Sequence, residues 1–94
     1  NLFYWYNGDL CTPDVDVSGV DGLMRQFIMG NYRENFNSEV SVLKTTLIEL
    51  EQASAMFICN SVMGVMPVRV FNNRLLNLEP TLKLRLKIQE LMGD

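Results

Sequence analysis

Histidine is absent from the 94 residues. Its absence removes His-dependent triads, imidazole metal sites and histidine general bases from the chemistry this chain can perform. Cysteine is scarce: Cys11 and Cys59 stand far apart with no C-x-x-C pair. A zinc cluster is therefore excluded and a disulfide framework is not expected. Two buried, reduced thiols are the plain reading, and they suit a reducing compartment. No run approaches the roughly 18 consecutive apolar residues of a membrane span. A basic excess is also missing, because eight Lys and Arg stand against eleven Asp and Glu for a net charge of -3. The electrostatic footprint of a nucleic-acid binder is thus not present. The first residues carry no basic segment followed by an apolar run, so no signal peptide is expected. What remains is an ordinary globular balance, 48% hydrophobic and 20% charged, in a chain sized for one domain at most.

The chain opens without Met on an aromatic run, Leu2-Phe3-Tyr4-Trp5-Tyr6, which reads as a strand. A strand at the very first residues suggests a piece of something longer. Asn7-Gly8 is the preferred two-residue hairpin turn, since both positions tolerate positive φ. A second strand then runs over Asp9 to Thr12 and stops at Pro13, which lacks a ladder donor. A loop with three acids, Asp14, Asp16 and Asp21, leads to Leu23-Met24-Arg25-Gln26-Phe27-Ile28-Met29. Leu23 with Phe27, and Met24 with Ile28 and Tyr32, give helical spacing, with Asp21 as the N-cap and an end by Asn35.

Ser38 to Lys44 alternates as a strand, and Thr45 or Thr46 opens a short helix through Ala53. Ala55 to Cys59 is a buried strand, followed by a Gly-containing turn over Val62 to Val65. Pro67 to Phe71 reads as one more strand, with a turn at Asn72-Asn73. The tail alternates over Leu82 to Ile88. Pro80 nevertheless suits a first helical turn, and Leu84, Ile88 and Leu91 fall at i, i+4 and i+7, so a helix is expected. Charge divides unevenly: three basic and eight acidic residues precede residue 61, and five basic and three acidic follow. The basic end reads as a solvated helix face.

Two places could carry chemistry. At Gly19-Val20-Asp21-Gly22-Leu23-Met24, a glycine-bearing loop enters a helix, and the first backbone N–H groups of a helix form a ready anion site. The same residues also describe a plain loop-to-helix junction capped by Asp21, and the Asp21 carboxylate would itself repel an anion. At Ile58-Cys59-Asn60-Ser61, a buried strand ends in two small polar residues, where ligands gather in α/β structures. Asn60 and Ser61 could donate to a phosphate there, or merely hold a turn. Glu39, Glu49 and Glu51 read as exposed faces. Lys44, Lys83 and Lys87 lack the burial or cationic neighbour that a Schiff-base lysine requires.

The segments Asn1-Leu2-Phe3, Thr12-Pro13, Gly19-Val20-Asp21-Gly22-Leu23-Met24-Arg25-Gln26-Phe27 and Ile58-Cys59-Asn60-Ser61-Val62-Met63-Gly64-Val65-Met66-Pro67-Val68 occur in that order. Together they resemble the C-terminal part of the aminodeoxychorismate lyases, members of the fold-type IV pyridoxal-phosphate class. That class also holds the branched-chain and D-amino-acid aminotransferases of aminotransferase class IV. The likeness covers about the first 70 residues, and the Leu-Met-Arg-Gln-Phe and Ile-Cys-Asn variants favour the lyases.

The resemblance implies an α/β fold, part of the C-terminal pseudo-barrel domain of such enzymes. The implied reaction converts 4-amino-4-deoxychorismate to 4-aminobenzoate and pyruvate for folate biosynthesis, with pyridoxal 5'-phosphate as cofactor. The backbone of Gly22, Leu23 and Met24 and the hydroxyl of Ser61 would hold the cofactor phosphate, with Asn60 shaping that end of the site. The family's lysine, its pyridine-facing glutamate and its phosphate-binding arginine lie upstream of Asn1 and have no match here. The expectation is therefore that residues 1–94 are a partial domain lacking the catalytic-lysine segment. Such a piece would have no catalytic residue, no metal and no activity alone. The implied partners are the remainder of its own chain, a second copy in a homodimer and a small-molecule substrate, in the cytoplasm, with neither nucleic acid nor membrane. The alternatives are a piece of a D-amino-acid or branched-chain aminotransferase, and a non-catalytic module that binds a phosphate or another protein.

Overall fold

A computed structural model describes residues 1–14 and 22–93. Strands β1 (Leu2–Tyr6) and β2 (Asp9–Pro13) form a hairpin, followed by helix α1 (Leu23–Phe36) and strand β3 (Ser41–Leu43). Helix α2 (Leu47–Gln52) leads to β4 (Ala55–Asn60) and β5 (Gly64–Pro67), then to the short ribbon β6 (Val70–Phe71) and β7 (Arg74–Leu75), and finally to α3 (Glu79–Leu91). Five strands form one sheet in the order β3-β2-β1-β4-β5, and β6-β7 stand apart. All pairs are antiparallel except β2 with β3, which α1 connects as a crossover.

The hairpin forms as its turn residues dictate. Asn7 and Gly8 both adopt positive φ, at 52° and 84°, and Tyr6 pairs with Asp9. Alternation along β1 then divides the interior in two. Phe3 enters a cluster with Leu10, Met24, Ile28, Phe57, Leu84 and Ile88, so α1 and α3 cover that face. Tyr4 enters a second cluster with Cys11, Ala53, Met56 and Leu76, on the face reached by α2 and β6. Cys11 and Cys59 are both free, buried thiols, one in each cluster, so the sheet stands between them. No described helix is long and apolar enough to cross a membrane.

Four expectations need correction. Pro67 to Phe71 is not one strand. Pro67 lacks an amide donor and ends β5 opposite Phe57, and Val70–Phe71 instead pair with Arg74–Leu75 across Asn72 and Asn73, both at positive φ. The turn after β4 occupies residues 61–63, and Gly64 already belongs to β5. On α3 the buried stripe is Thr81, Leu84 and Ile88, while Leu91 stays 42% exposed. Glu49 is no isolated surface acid. The buried Tyr4 hydroxyl donates to Glu49 Oε2 at 3.1 Å and lies 2.8 Å from Thr45 Oγ1. Glu49 also closes the start of α2, because its amide donates to Thr46 Oγ1 at 3.3 Å.

The buried acids of the sheet set an alkaline limit. Burial pushes the Cys59 thiol up against the opposing pull of the N-terminal ammonium and Arg25. Burial, helped by Asp9 and Glu49, does the same at Cys11, and burial raises the Tyr4 phenol. An unfolded chain therefore releases protons that the folded chain holds once pH passes the ordinary thiol value of 9.0. This stabilisation is complete below that value and is lost as pH rises through the higher folded values. The expected result is a denaturant midpoint flat near neutrality that falls steadily above about pH 9. Replacing Cys11 and Cys59 by Ala should make that fall shallower.

Candidate phosphate-binding cleft

Helix α1 begins without a self-made cap. The N-cap position is Gly22, one residue later than the sequence suggested, and Gly22 supplies no side-chain cap. Asp21, the expected cap, lies outside the described residues. The Gly22 carbonyl accepts the amide of Gln26 at 2.9 Å, and no acidic residue occupies the first turn. The first turn of this 14-residue helix thus carries no carboxylate of its own at the positive end of the helix dipole. Leu23 points outward at 69% exposure, whereas Met24 turns into the core.

Strand β4 delivers the second half. It sits between β1 and β5, so its end is held by pairing on both sides. Asn60 Oδ1 accepts the amides of Val62 at 2.9 Å and Met63 at 2.7 Å, fixing a tight turn. Asn60 is therefore the turn's brace, and its carbonyl oxygen is engaged by backbone. The brace holds Ser61 at the corner and leaves Val62 94% exposed. Gly64 follows at φ 74°, a conformation that a side chain would strain.

These halves meet. Met24 and Ser61 line one cleft of about 200 Å³ together with Gly64, Val65 and the Arg85–Met92 face of α3. Gly22 and Leu23 sit directly beside it on the same helix start. The sequence reading missed α3 as a wall, and with it Arg85 and Gln89. The signal lay in the i, i+3, i+4, i+7 spacing of Arg85, Ile88, Gln89 and Met92, which is offset by one residue from the buried Leu84–Ile88 stripe. A wider hollow of about 310 Å³ lies elsewhere, by Met29 and Val40, with the exposed Arg33–Glu39 pair in its lining. It brings together neither of the sequence-level candidates.

Arg25 turns away from the cleft. Its Nη2 donates to the Pro13 carbonyl at 3.4 Å, and its Nε is buried with no partner among the described residues. Lys44 and Lys83 are exposed, and Lys87 pairs with Glu90 at 3.9 Å, so no lysine lines the cleft.

A sequence model of the amino-transferase class IV family matches residues 1–71. The chain belongs to that family. An aminodeoxychorismate lyase from Vibrio harveyi is 37% identical over 68 residues, which are 72% of this chain and 25% of that protein. The crystal structure of a 4-amino-4-deoxychorismate lyase from Pseudomonas aeruginosa superposes with a TM-score of 0.83 at 30% identity, covering 96% of this chain and 33% of that one. The crystal structure of a Brucella abortus aminotransferase, bound to the cofactor PLP, gives 0.89 at 22% identity over 100% of this chain and 34% of that one, a likeness of fold. The chain thus spans a quarter to a third of these proteins. The family match ends with β6, but the structural likeness continues through α3.

Proposed function

We propose that this chain is the C-terminal, phosphate-holding portion of a pyridoxal-phosphate-dependent lyase that converts 4-amino-4-deoxychorismate to 4-aminobenzoate and pyruvate. The reading includes a place in folate biosynthesis, a homodimeric state and the cytoplasm. One observation carries it: Met24 and Ser61, one from each of the two segments that resemble the family's phosphate-binding motifs, line one cleft. The donor set fits a phosphate. The first turn of α1 carries no acid, and Ser61 lines the same cleft as Met24 of that turn.

In this reading the amides of Leu23 and Met24 and the hydroxyl of Ser61 hold the phosphate, and Asn60 keeps Ser61 at the corner. When bound, the cofactor supplies an electron sink for bonds at the attached substrate carbon. This chain anchors and orients one end of it, while the lysine that moves protons belongs to the rest of the protein. The identity to the Vibrio and Pseudomonas lyases favours the lyase over an aminotransferase.

The test uses the full-length protein with aminodeoxychorismate, following 4-aminobenzoate by fluorescence and pyruvate by a coupled dehydrogenase. A parallel arm supplies branched-chain or D-amino acids with a keto-acid acceptor. Formation of both products in the first arm is the expected result. Turnover confined to the second would make it an aminotransferase, and a protein that binds no cofactor would leave a non-catalytic module. Ser61→Ala should weaken cofactor retention about tenfold, the loss of one hydrogen bond to a charged group. Dialysis followed by cofactor absorbance measures it.

A further inference from the structure

A sheet with one face in water alternates apolar and polar residues along its strands, whereas a strand covered on both faces reads as a continuous apolar run. Strand β4 is of the second kind, with Ala55, Met56, Phe57, Ile58 and Cys59 in succession. Phe57 and Cys59 enter the interior under α1 and α3, and Met56 enters the one reached by α2. Ile58 lies on the same face as Met56, yet it is 48% exposed.

Ile58 does not stand alone there. It pairs with Leu2 on one side and with Met66 on the other, and Pro13 pairs with Leu43 at the far edge. Leu2 and Pro13 lie two residues beyond the Tyr4–Cys11 pair and keep to its face. Leu43, Pro13, Leu2, Ile58 and Met66 thus form one row across all five strands, about 20 Å from edge to edge. Every side chain in the row is apolar. The neighbouring row is sealed by α2 and β6, and its Cys11, Tyr4 and Met56 are at most 2% exposed. In the open row Leu43 is 38% exposed, and Leu2, Pro13 and Met66 are half-buried. An apolar sheet face is stable only against another layer, and the described residues leave this row without one.

We propose that this row is the docking surface for the part of the protein preceding Asn1, which lays the missing layer over it. The proposal rests on the functional reading above, in which this chain is the C-terminal portion of a longer protein. The chain spans only a quarter to a third of the relatives onto which it superposes almost entirely, so material for a second layer is at hand. Its point of attachment favours it over a second copy. Leu2, in the middle of the row, adjoins Asn1, and Asn1 stays in the ladder. The Asn1 carbonyl accepts the Cys59 amide at 2.9 Å, and the Asn1 nitrogen donates to the Cys59 carbonyl at 3.1 Å. A segment joined at that residue meets the row at an effective concentration of about millimolar, whereas a second copy must arrive from dilute solution.

The experiment uses the full-length protein and two substitutions, Ile58→Cys and Leu86→Cys. The two positions are similarly open in residues 1–94, at 48% and 64%, while the native thiols are buried. In the native full-length protein, Ile58→Cys should react with a maleimide about tenfold or more slowly than Leu86→Cys. Equal rates in a protein that still forms 4-aminobenzoate would overturn the docking surface and leave the functional reading standing. An intact mass showing that nothing precedes Asn1 would overturn both. The covering segment is then identified with p-benzoylphenylalanine at position 58 in a mixture of ¹⁵N-labelled and unlabelled protein. Photo-adducts should join position 58 to peptides preceding Asn1 of the same chain. Adducts joining a labelled chain to an unlabelled one, or confined to residues 1–94, would overturn the proposal. Should that variant not fold, the photoprobe is placed at Leu43, on the edge of the row, with the same expected and overturning results.

Discussion

Phe57→Ala should cost about 3–5 kcal/mol of folding stability, most of what a small domain has. Phe57 is fully buried on β4, the strand that joins the hairpin to the cleft. Its ring stacks on Phe3 with centroids 4.9 Å apart and planes 8° from parallel, and Trp5 leans against it at 5.7 Å. Truncation removes the ring from the centre of the larger cluster and leaves a cavity between sheet and helices that stiff neighbours cannot fill. Phe57→Leu, which keeps most of the volume, should cost much less. Denaturant midpoints at constant m-value measure both. A cost below about 1 kcal/mol for the alanine variant would mean that β4 is not the keystone of this core.

The second large effect is one of opposite signs. Leu23 is the first residue of α1 and is mostly exposed, so Leu23→Asp loses little packing. A carboxylate in the first turn favours the helix dipole by about 0.3–1 kcal/mol, so the fold should hold or gain. The same charge stands where the cofactor phosphate would sit. At a few ångströms, repulsion at a partly screened site runs to about 1–4 kcal/mol, which weakens cofactor binding roughly tenfold or more. Leu23→Asn is the neutral control and should leave binding nearly unchanged. Thermal unfolding with and without pyridoxal 5'-phosphate reads both quantities. Unchanged affinity in Leu23→Asp would remove the phosphate from this helix end.

Local chemistry made much of the fold legible. Asn7-Gly8 announced a hairpin, a threonine at 45 or 46 announced the start of α2, and the Met24–Ile28 spacing announced α1. Each signal is complete within a few residues. The failures needed partners distant in sequence. Tyr4 reaches Glu49 across 45 positions, and nothing near Glu49 marks it as half-buried beneath a phenol. The β-branched and aromatic run around Val68–Phe71 suggested a strand, but Pro67 had already ended the ladder and the ribbon formed with Arg74–Leu75.

The candidate site divides in the same way. Gly22–Met24 and Asn60–Ser61 were visible as separate motifs, and only the fold brings Met24 and Ser61 of them to one cleft. Arg85 was missed because the basic residues of the tail, which alternate with apolar ones over Leu82 to Ile88, read together as a solvated helix face. On a helix, that alternation turns each basic side chain in a different direction. Arg85 falls beside Ile88 on the cleft wall, while Lys83 lies on the exposed side.

The placement of Phe3 and Tyr4 on opposite faces has a consequence for variation. Five strands form a wall between two interiors, and neighbouring residues on β1 and β4 answer to different ones. Substitutions behind the wall, at Tyr4, Met56 or Leu76, share no packed partner with Ile28 or Ile88, and energetic effects at such separated sites add. The α2 side can therefore drift in sequence as an independent unit. The side built from α1 and α3 cannot, because the helices that seal that interior also form the two walls of the cleft.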